Sequence, residues 1–350
     1  MKNKLNKKKG YGSFFSYEKH NSKAFINFNN SFIPTNKKLF YTGRQAIKYI
    51  VEIIKLNNKI NTFWIPEYYC QHVTIWLKKN YDNIKSYKVN PLDNEYIIKA
   101  NDFVKENDII LVNNFWGTSN CSLNYINNKV IVIEDHSHGW LSNSCIESTA
   151  DYCFASLRKS VPAPLGGIAW IPNEDKLIIL NQKSSNDFNK IWNNTFLGMT
   201  KKLEFEENIL IDKGLKNDFI ALINNAENMM HHNYDLVKLN SKHKKIIESY
   251  LKINYLDFKA LNFKTIISLI KPNNTFEIIN GNSTPFGLIL HFKNINKLNY
   301  FKSYLISKNI YPSQLWPNNK LKYGYFINIH IDYRYNDLDM YYIAQIINAF

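Results

Sequence analysis

Two side chains in residues 131–168 have the types and spacing for one particular chemistry. An apolar strand ends in Glu134-Asp135, and a second strand leads into Ser156-Leu157-Arg158-Lys159 ahead of Gly166-Gly167. An acid at the carboxyl end of a buried parallel strand lies where open α/β sheets bind their ligands. A lysine that is mobile and partly desolvated keeps some of its amine neutral and so nucleophilic. Pyridoxal phosphate (PLP) needs both groups. A lysine holds its aldehyde as a Schiff base, and a carboxylate keeps its ring nitrogen protonated so that the ring can accept electrons. Lys159 and Asp135 are the candidates, and the paired glycine would let backbone pass close to the cofactor. A capping aspartate and a solvated loop lysine would produce the same letters, so other segments have to agree.

Several do, in a consistent order along the chain. Ala46, Ile47, Ile50, Val51 and Ile54 recur at helical spacing, which predicts Thr42 as an N-cap with Gly43 and Arg44 in the first turn. A helix start with small residues is an anion site, because free N–H groups and the helix dipole point at the ligand. Ser156 adds a hydroxyl for the phosphate, and His138, three residues after Asp135, is placed to hydrogen-bond the phenolic oxygen of the ring. Tyr68, Tyr69, Phe115 and Trp116 follow strands where a ring could stack on a planar cofactor, Tyr69 first among them. The competing chemistry is a metal site built from Asp135-His136-Ser137-His138 with His231-His232, since an alternating His-x-His puts both rings on one face of a strand. Gly139 makes that segment a turn, however, and no third ligand stands at metal spacing.

These residues need a scaffold that brings strand ends together. Short apolar strands at 62–66, 84–89, 109–115, 129–135, 151–156 and 167–172 alternate with polar or helical connections, which predicts a mostly parallel sheet covered on both faces. Residues 174–250 read as helical. The last hundred residues change style, with strands at 288–292 and 326–331, a helix near 294–308, and a closing helix capped at Asn336 or Asp337. The expected organisation is an N-terminal arm at 1–40, a large α/β domain at 41–240 and a smaller α+β domain at 241–350.

Bulk properties exclude some classes. At 350 residues and 45% hydrophobic content the chain can bury a large core, so it is not disordered. Lys+Arg 44 against Asp+Glu 29 gives a net charge of +15, compatible with nucleic acid, an anionic surface or small phosphorylated substrates. Most of the excess is spread singly, and the run at Lys2, Lys4, Lys7, Lys8 and Lys9 reads as a solvated arm. Four cysteines without CxxC spacing, no signal-peptide core and no stretch long enough to span a bilayer point to the cytoplasm. Arg44, Arg158 and Arg334 are the three arginines. In so lysine-rich a chain, arginine is expected where a planar fork of donors is required.

The motifs also match a family. TGRQAI (42–47), IPEYYC (65–70), IEDHSHG (133–139) and SLRKSVPAPLGG (156–167) resemble segments of the DegT/DnrJ/EryC1/StrS sugar aminotransferases, in particular a divergent subgroup with an SLRK lysine loop. GYGSFF (10–15), TPFGLILHF (284–292), NIYPSQLWP (309–317) and IDYRYNDLDM (331–340) extend the resemblance over most of the chain. It implies a fold-type I PLP-dependent transferase. Lys159 would be the Schiff-base lysine and general acid/base, Asp135 the pyridinium partner and His138 the neighbour of the ring oxygen, with Gly43, Arg44 and Ser156 on the phosphate. It further implies a homodimer that moves an amino group from an amino-acid donor, usually glutamate, to a nucleotide-linked keto sugar for surface polysaccharide, with no nucleic-acid partner. The chain departs from the family in two places. Cys70 stands where the common pattern has a stacking aromatic, and the lysine loop lacks the FSFHPxK form, which leaves the sugar open. Related 3-dehydratases replace the lysine by histidine, and Lys159 sets this chain apart from them. A PLP enzyme of another reaction type, or a retired enzyme fold binding nucleic acid or anionic surfaces, are the alternatives.

Overall fold

The computed structural model describes residues 10–350 apart from 13, 19–29, 31, 94, 124–129, 173–176, 209–211, 282 and 318–321. The basic run at 2–9 lies outside the described residues.

A seven-stranded sheet forms the centre, in the order Lys37–Phe40, Gly167–Trp170, Tyr152–Ala155, Ile131–Asp135, Ile109–Asn113, Phe63–Pro66 and Ile84–Tyr87. The last five of these run parallel. Gly167–Trp170 is antiparallel to both its neighbours. All six strands expected from sequence are present. The seventh, Lys37–Phe40, falls in the stretch read as an arm. Two lysines followed by the buried Leu39 and Phe40 make a short charged edge strand, a pattern too brief to stand out in sequence.

The helix Gly43–Asn57 covers one face. Ala46, Ile47, Ile50, Val51 and Ile54 are fully buried against the sheet, each large aliphatic side chain contributing about 1.5–3 kcal/mol by leaving water. Thr42 caps it, its hydroxyl accepting the Gln45 N–H at 3.2 Å. The stretch expected to be helical across 174–250 is three helices, Asn186–Glu207, Lys213–His232 and Ser241–Leu251, each begun by a polar cap: Ser185, Asp212 and Asn240. Ile247, Tyr250, Leu251 and Tyr255 pack into the same core as the Gly167–Trp170 strand.

C-terminal to these, Tyr255–Leu269 leads to an antiparallel sheet ordered Glu277–Ile278, Leu288–Phe292, Tyr325–Ile329 and Ser313–Leu315. Ile295–Ser307 and Asp337–Asn348 pack on it, the latter started by Asn336 in a capping box with Asp339. Tyr11–Gly12 pairs in parallel with Ile310–Tyr311 as a separate two-stranded sheet, and the Tyr335 hydroxyl accepts the Gly12 N–H at 2.6 Å, so the N-terminal segment straps onto the C-terminal part of the chain. Among the described residues no helix is long and apolar enough to cross a membrane.

Candidate active site

The register of the central sheet sets Asp135 level with Asn113 on one side and Phe154 on the other. The strand carrying Asp135 therefore ends where the next turns out toward Ser156 and Lys159, and a cleft of ≈ 560 Å³ opens there. Asp135, His138, Ser156, Lys159, Gly43 and Arg44 all line it. Tyr69 does not border the cleft. It lies buried and donates its hydroxyl to Asp135 Oδ2 at 2.5 Å, so it reaches the site through Asp135 and not through its ring face. Burial and the neighbouring Asp135 push the Tyr69 phenol well above its ordinary range, so it remains a donor. The second oxygen, Oδ1, accepts the Ser137 N–H at 2.8 Å. The carboxylate is thus oriented from two sides, as a partner for a ring nitrogen has to be.

Lys159 Nζ lies 3.4 Å from His138 Nε2. The imidazole is held well below its ordinary pKa, first by burial and then by the charges of Lys159 and Lys259, so it is neutral at pH 7. Its ring is layered between Phe286, at 4.7 Å, and the indoles of Trp116 and Trp316, at 5.7 and 5.4 Å. Trp316 borders the cleft and holds a φ of 44°, a left-handed conformation uncommon for a bulky residue and retained only where surrounding packing fixes it. Sequence reasoning missed Trp316, Phe286 and Ser137 as site residues. Ser137 lay in view inside the acid segment, where its hydroxyl accepts the Ser156 N–H at 2.9 Å and ties the two strand ends together. The two aromatics come from segments that flank strands of the C-terminal sheet, and nothing local marks them.

At the opposite end of the cleft, the helix start meets the Ser156 turn. A Cβ on Gly43 would sit 3.0 Å from Ser156 Cβ and 3.2 Å from its Cα, so glycine is what lets them close on each other. Gly167 has a related role. A Cβ there would collide with the Thr42 carbonyl, so this glycine accommodates the backbone behind the helix start. Arg44 donates Nη2 to the Met230 carbonyl at 2.8 Å, while Nη1 is buried with no partner. Arg158 forms a two-pronged pair with Glu227, at 2.6 and 3.2 Å.

The metal alternative fails on geometry. His138 faces Lys159, whereas His136 turns to Glu134 at 2.9 Å, so the two rings do not share a site. Among the described residues, Glu134, His136 and Cys153 form the one group compact enough to hold an ion. Glu134 already meets His136 directly and Cys153 through the Ser148 hydroxyl.

The residues present fit PLP. A buried guanidinium N–H without an acceptor costs about 1–3 kcal/mol, a cost that a phosphate oxygen at the helix start would remove. His138 Nδ1 is likewise buried without a partner, beside the amine that a Schiff base requires.

No protein-family model and no curated protein sequence matches the chain. Solved structures do. Spr1654 from Streptococcus pneumoniae, assigned as a sugar aminotransferase and solved in its PMP form, aligns with a TM-score of 0.56 at 9% identity, covering 97% of this chain and 93% of that one. A GDP-4-keto-6-deoxymannose-3-dehydratase with a trapped PLP-glutamate geminal diamine aligns at 0.55 and 11% identity, covering 95% and 93%. The sugar aminotransferase CalS13 from Micromonospora echinospora aligns at 0.54 and 12% identity, covering 89% and 87%. The fold is that of the fold-type I PLP-dependent transferases.

Proposed function

We propose that this chain is a PLP-dependent aminotransferase that moves an amino group from an amino acid, glutamate first among candidates, to a keto sugar carried on a nucleotide. The observation that carries the reading is the meeting in one cleft of an oriented carboxylate, a lysine amine beside a neutral histidine, and a glycine-arginine helix start with an unpartnered guanidinium N–H. The fold neighbours that bear sugar aminotransferase names support the substrate class. When bound, PLP supplies an electron sink that lets the bond to a substrate α-proton break.

The chain's own residues supply the rest. Asp135, held by Tyr69 and the Ser137 N–H, stays aimed at the ring nitrogen. Gly43, Arg44 and Ser156 hold the phosphate. The Lys159 amine would take up and return the proton in the transfer, and His138, neutral beside it, accepts a hydrogen bond from the ammonium form and orients the amine. The chain works as a homodimer in the cytoplasm, in surface polysaccharide synthesis. The cysteines Cys70, Cys145 and Cys153 are free, in keeping with a reducing compartment.

An optical experiment tests the reading. Protein incubated with PLP and desalted should absorb in the visible, Lys159→Ala should not, and glutamate should bleach the wild-type band. A wild type that remains colourless would sink the proposal. A coloured protein that glutamate leaves unchanged would move it to another PLP reaction type.

A further inference from the structure

The C-terminal sheet sends a polar relay into the cleft that the chemistry above leaves unused. Ser313, Gln314 and His330 line the same cleft as Lys159 and His138. Antiparallel pairing of Ser313–Leu315 with Tyr325–Ile329 brings Ser313 Oγ to 3.1 Å from His330 Nε2. His330 Nδ1 lies 3.8 Å from Asp332 Oδ2, and Asp332 takes Nε and Nη2 of Arg334, both at 2.8 Å.

The direction of each hydrogen bond follows from the charges. Burial works against ionisation of Asp332, but the charge and hydrogen bonds of Arg334 hold its carboxyl well below the usual range. At 3.8 Å the ionised Asp332 makes no hydrogen bond to His330, but its charge favours the tautomer with the proton on Nδ1, the nitrogen that faces it, which leaves Nε2 bare. Burial, and then the Arg334 charge, push His330 down to about 3 against the pull of Asp332, with Lys259 and Lys202 adding to the shift. The ring therefore stays neutral, and in the tautomer that Asp332 favours the Ser313 hydroxyl donates to Nε2 at 3.1 Å. With its proton committed, Ser313 Oγ keeps its lone pairs for a donor in the cleft.

Such an acceptor reads hydroxyls and repels carboxylates. The arginines agree with this. Arg158 is spent on Glu227, Arg334 on Asp332, and Arg44 has one prong on the Met230 carbonyl, so no guanidinium of the cleft has both prongs free for a carboxylate. We propose that Ser313, oriented by His330, determines specificity by accepting a hydrogen bond from a hydroxyl of the neutral sugar ring of the acceptor. This assignment rests on the aminotransferase reading and names a residue for its second substrate.

Calorimetric titration of the PLP-loaded protein with UDP-glucose, dTDP-glucose and GDP-mannose, each against its nucleoside diphosphate, tests it without turnover. At least one sugar nucleotide should bind more tightly than its diphosphate. Ser313→Ala and His330→Leu should each reduce that ratio by up to about tenfold, as loss of one neutral hydrogen bond does, with the diphosphate affinity and the visible band kept. His330→Gln, whose amide oxygen replaces the Nε2 acceptor, should retain most of it. A ratio unchanged in Ser313→Ala, an equal loss for sugar nucleotide and diphosphate, or a wild type with no sugar preference would overturn the assignment. A coloured, glutamate-responsive protein giving any of these leaves the aminotransferase reading standing; a colourless one sinks that reading separately.

Discussion

Lys159 and His138 are 3.4 Å apart in a cleft where most other polar groups have assigned partners. On the proposed chemistry, Lys159→Ala should lower turnover by at least about 10³-fold, within the range that a positioned acid/base contributes, measured as 2-oxoglutarate released from glutamate in the presence of added PLP. Arg44 has one nitrogen on the Met230 carbonyl and one left over. Arg44→Lys keeps the charge and loses the fork, so PLP affinity should fall by roughly tenfold or more in equilibrium dialysis, an unequal exchange because one ammonium nitrogen cannot span the two directions that the planar guanidinium serves. Retained affinity would place the phosphate elsewhere. At this scale the sequence was informative. Asp135, Lys159, Ser156, Arg44 and His138 stand at strand ends or a helix start, positions that local pattern reveals. Glu227, the partner of Arg158, lies 69 residues away on a helix surface where acids are ordinary, and nothing local distinguishes it.

The elements set how closely these side chains approach. The helix start at Gly43 and the Ser156 turn are joined by a contact that a Cβ would push apart. Gly43→Ala should therefore weaken PLP binding while leaving far-ultraviolet circular dichroism intact, because the crowding falls on the cradle and not on the buried face of the helix. Equal PLP affinity in the variant would remove Gly43 from the cradle. The six strands of the central sheet and the cap at Thr42 were readable because apolar runs bounded by turn residues repeat at regular spacing. Lys37–Phe40 was not, since a four-residue edge strand that opens on two lysines is too short to show a period and looks like the polar arm before it.

Over the whole molecule, a set of buried charges ties the N-terminal strap to the rest. Lys202 donates to the Gly12 and Phe14 carbonyls, and Arg334 donates to the same two at 3.4 and 2.9 Å. Burial, reinforced by Arg334, pushes Lys202 down to about 7, and burial pushes Lys259 down to about 8. Both lie below the ordinary lysine value near 10.4, so between about pH 7 and 9 the unfolded chain binds more protons than the folded one and stability rises with pH. The gain should be on the order of a few kcal/mol, read from urea midpoints at pH 7 and 9. Lys202→Met should flatten the lower half of the rise, and an unchanged slope would show that this amine stays charged in the folded protein. Near pH 10 the trend reverses. Buried phenols such as Tyr68 and Tyr335, raised by burial, keep protons that the unfolded chain releases.

By itself the sequence determined the α/β class, the order of the strands along the chain, the cap at Thr42 and the placing of Asp135 and Lys159 at or just past the ends of strands, because these are local patterns of polarity and turn chemistry. Only the tertiary structure decided which groups those residues meet. Tyr69 turned to the carboxylate and away from the cleft, His136 and His138 parted to different partners, and Trp316, Phe286, Ser313 and His330 arrived from a separate sheet and the segments that flank its strands. Contacts between distant segments depend on register and packing, and neither is written in the spacing of residues along one strand.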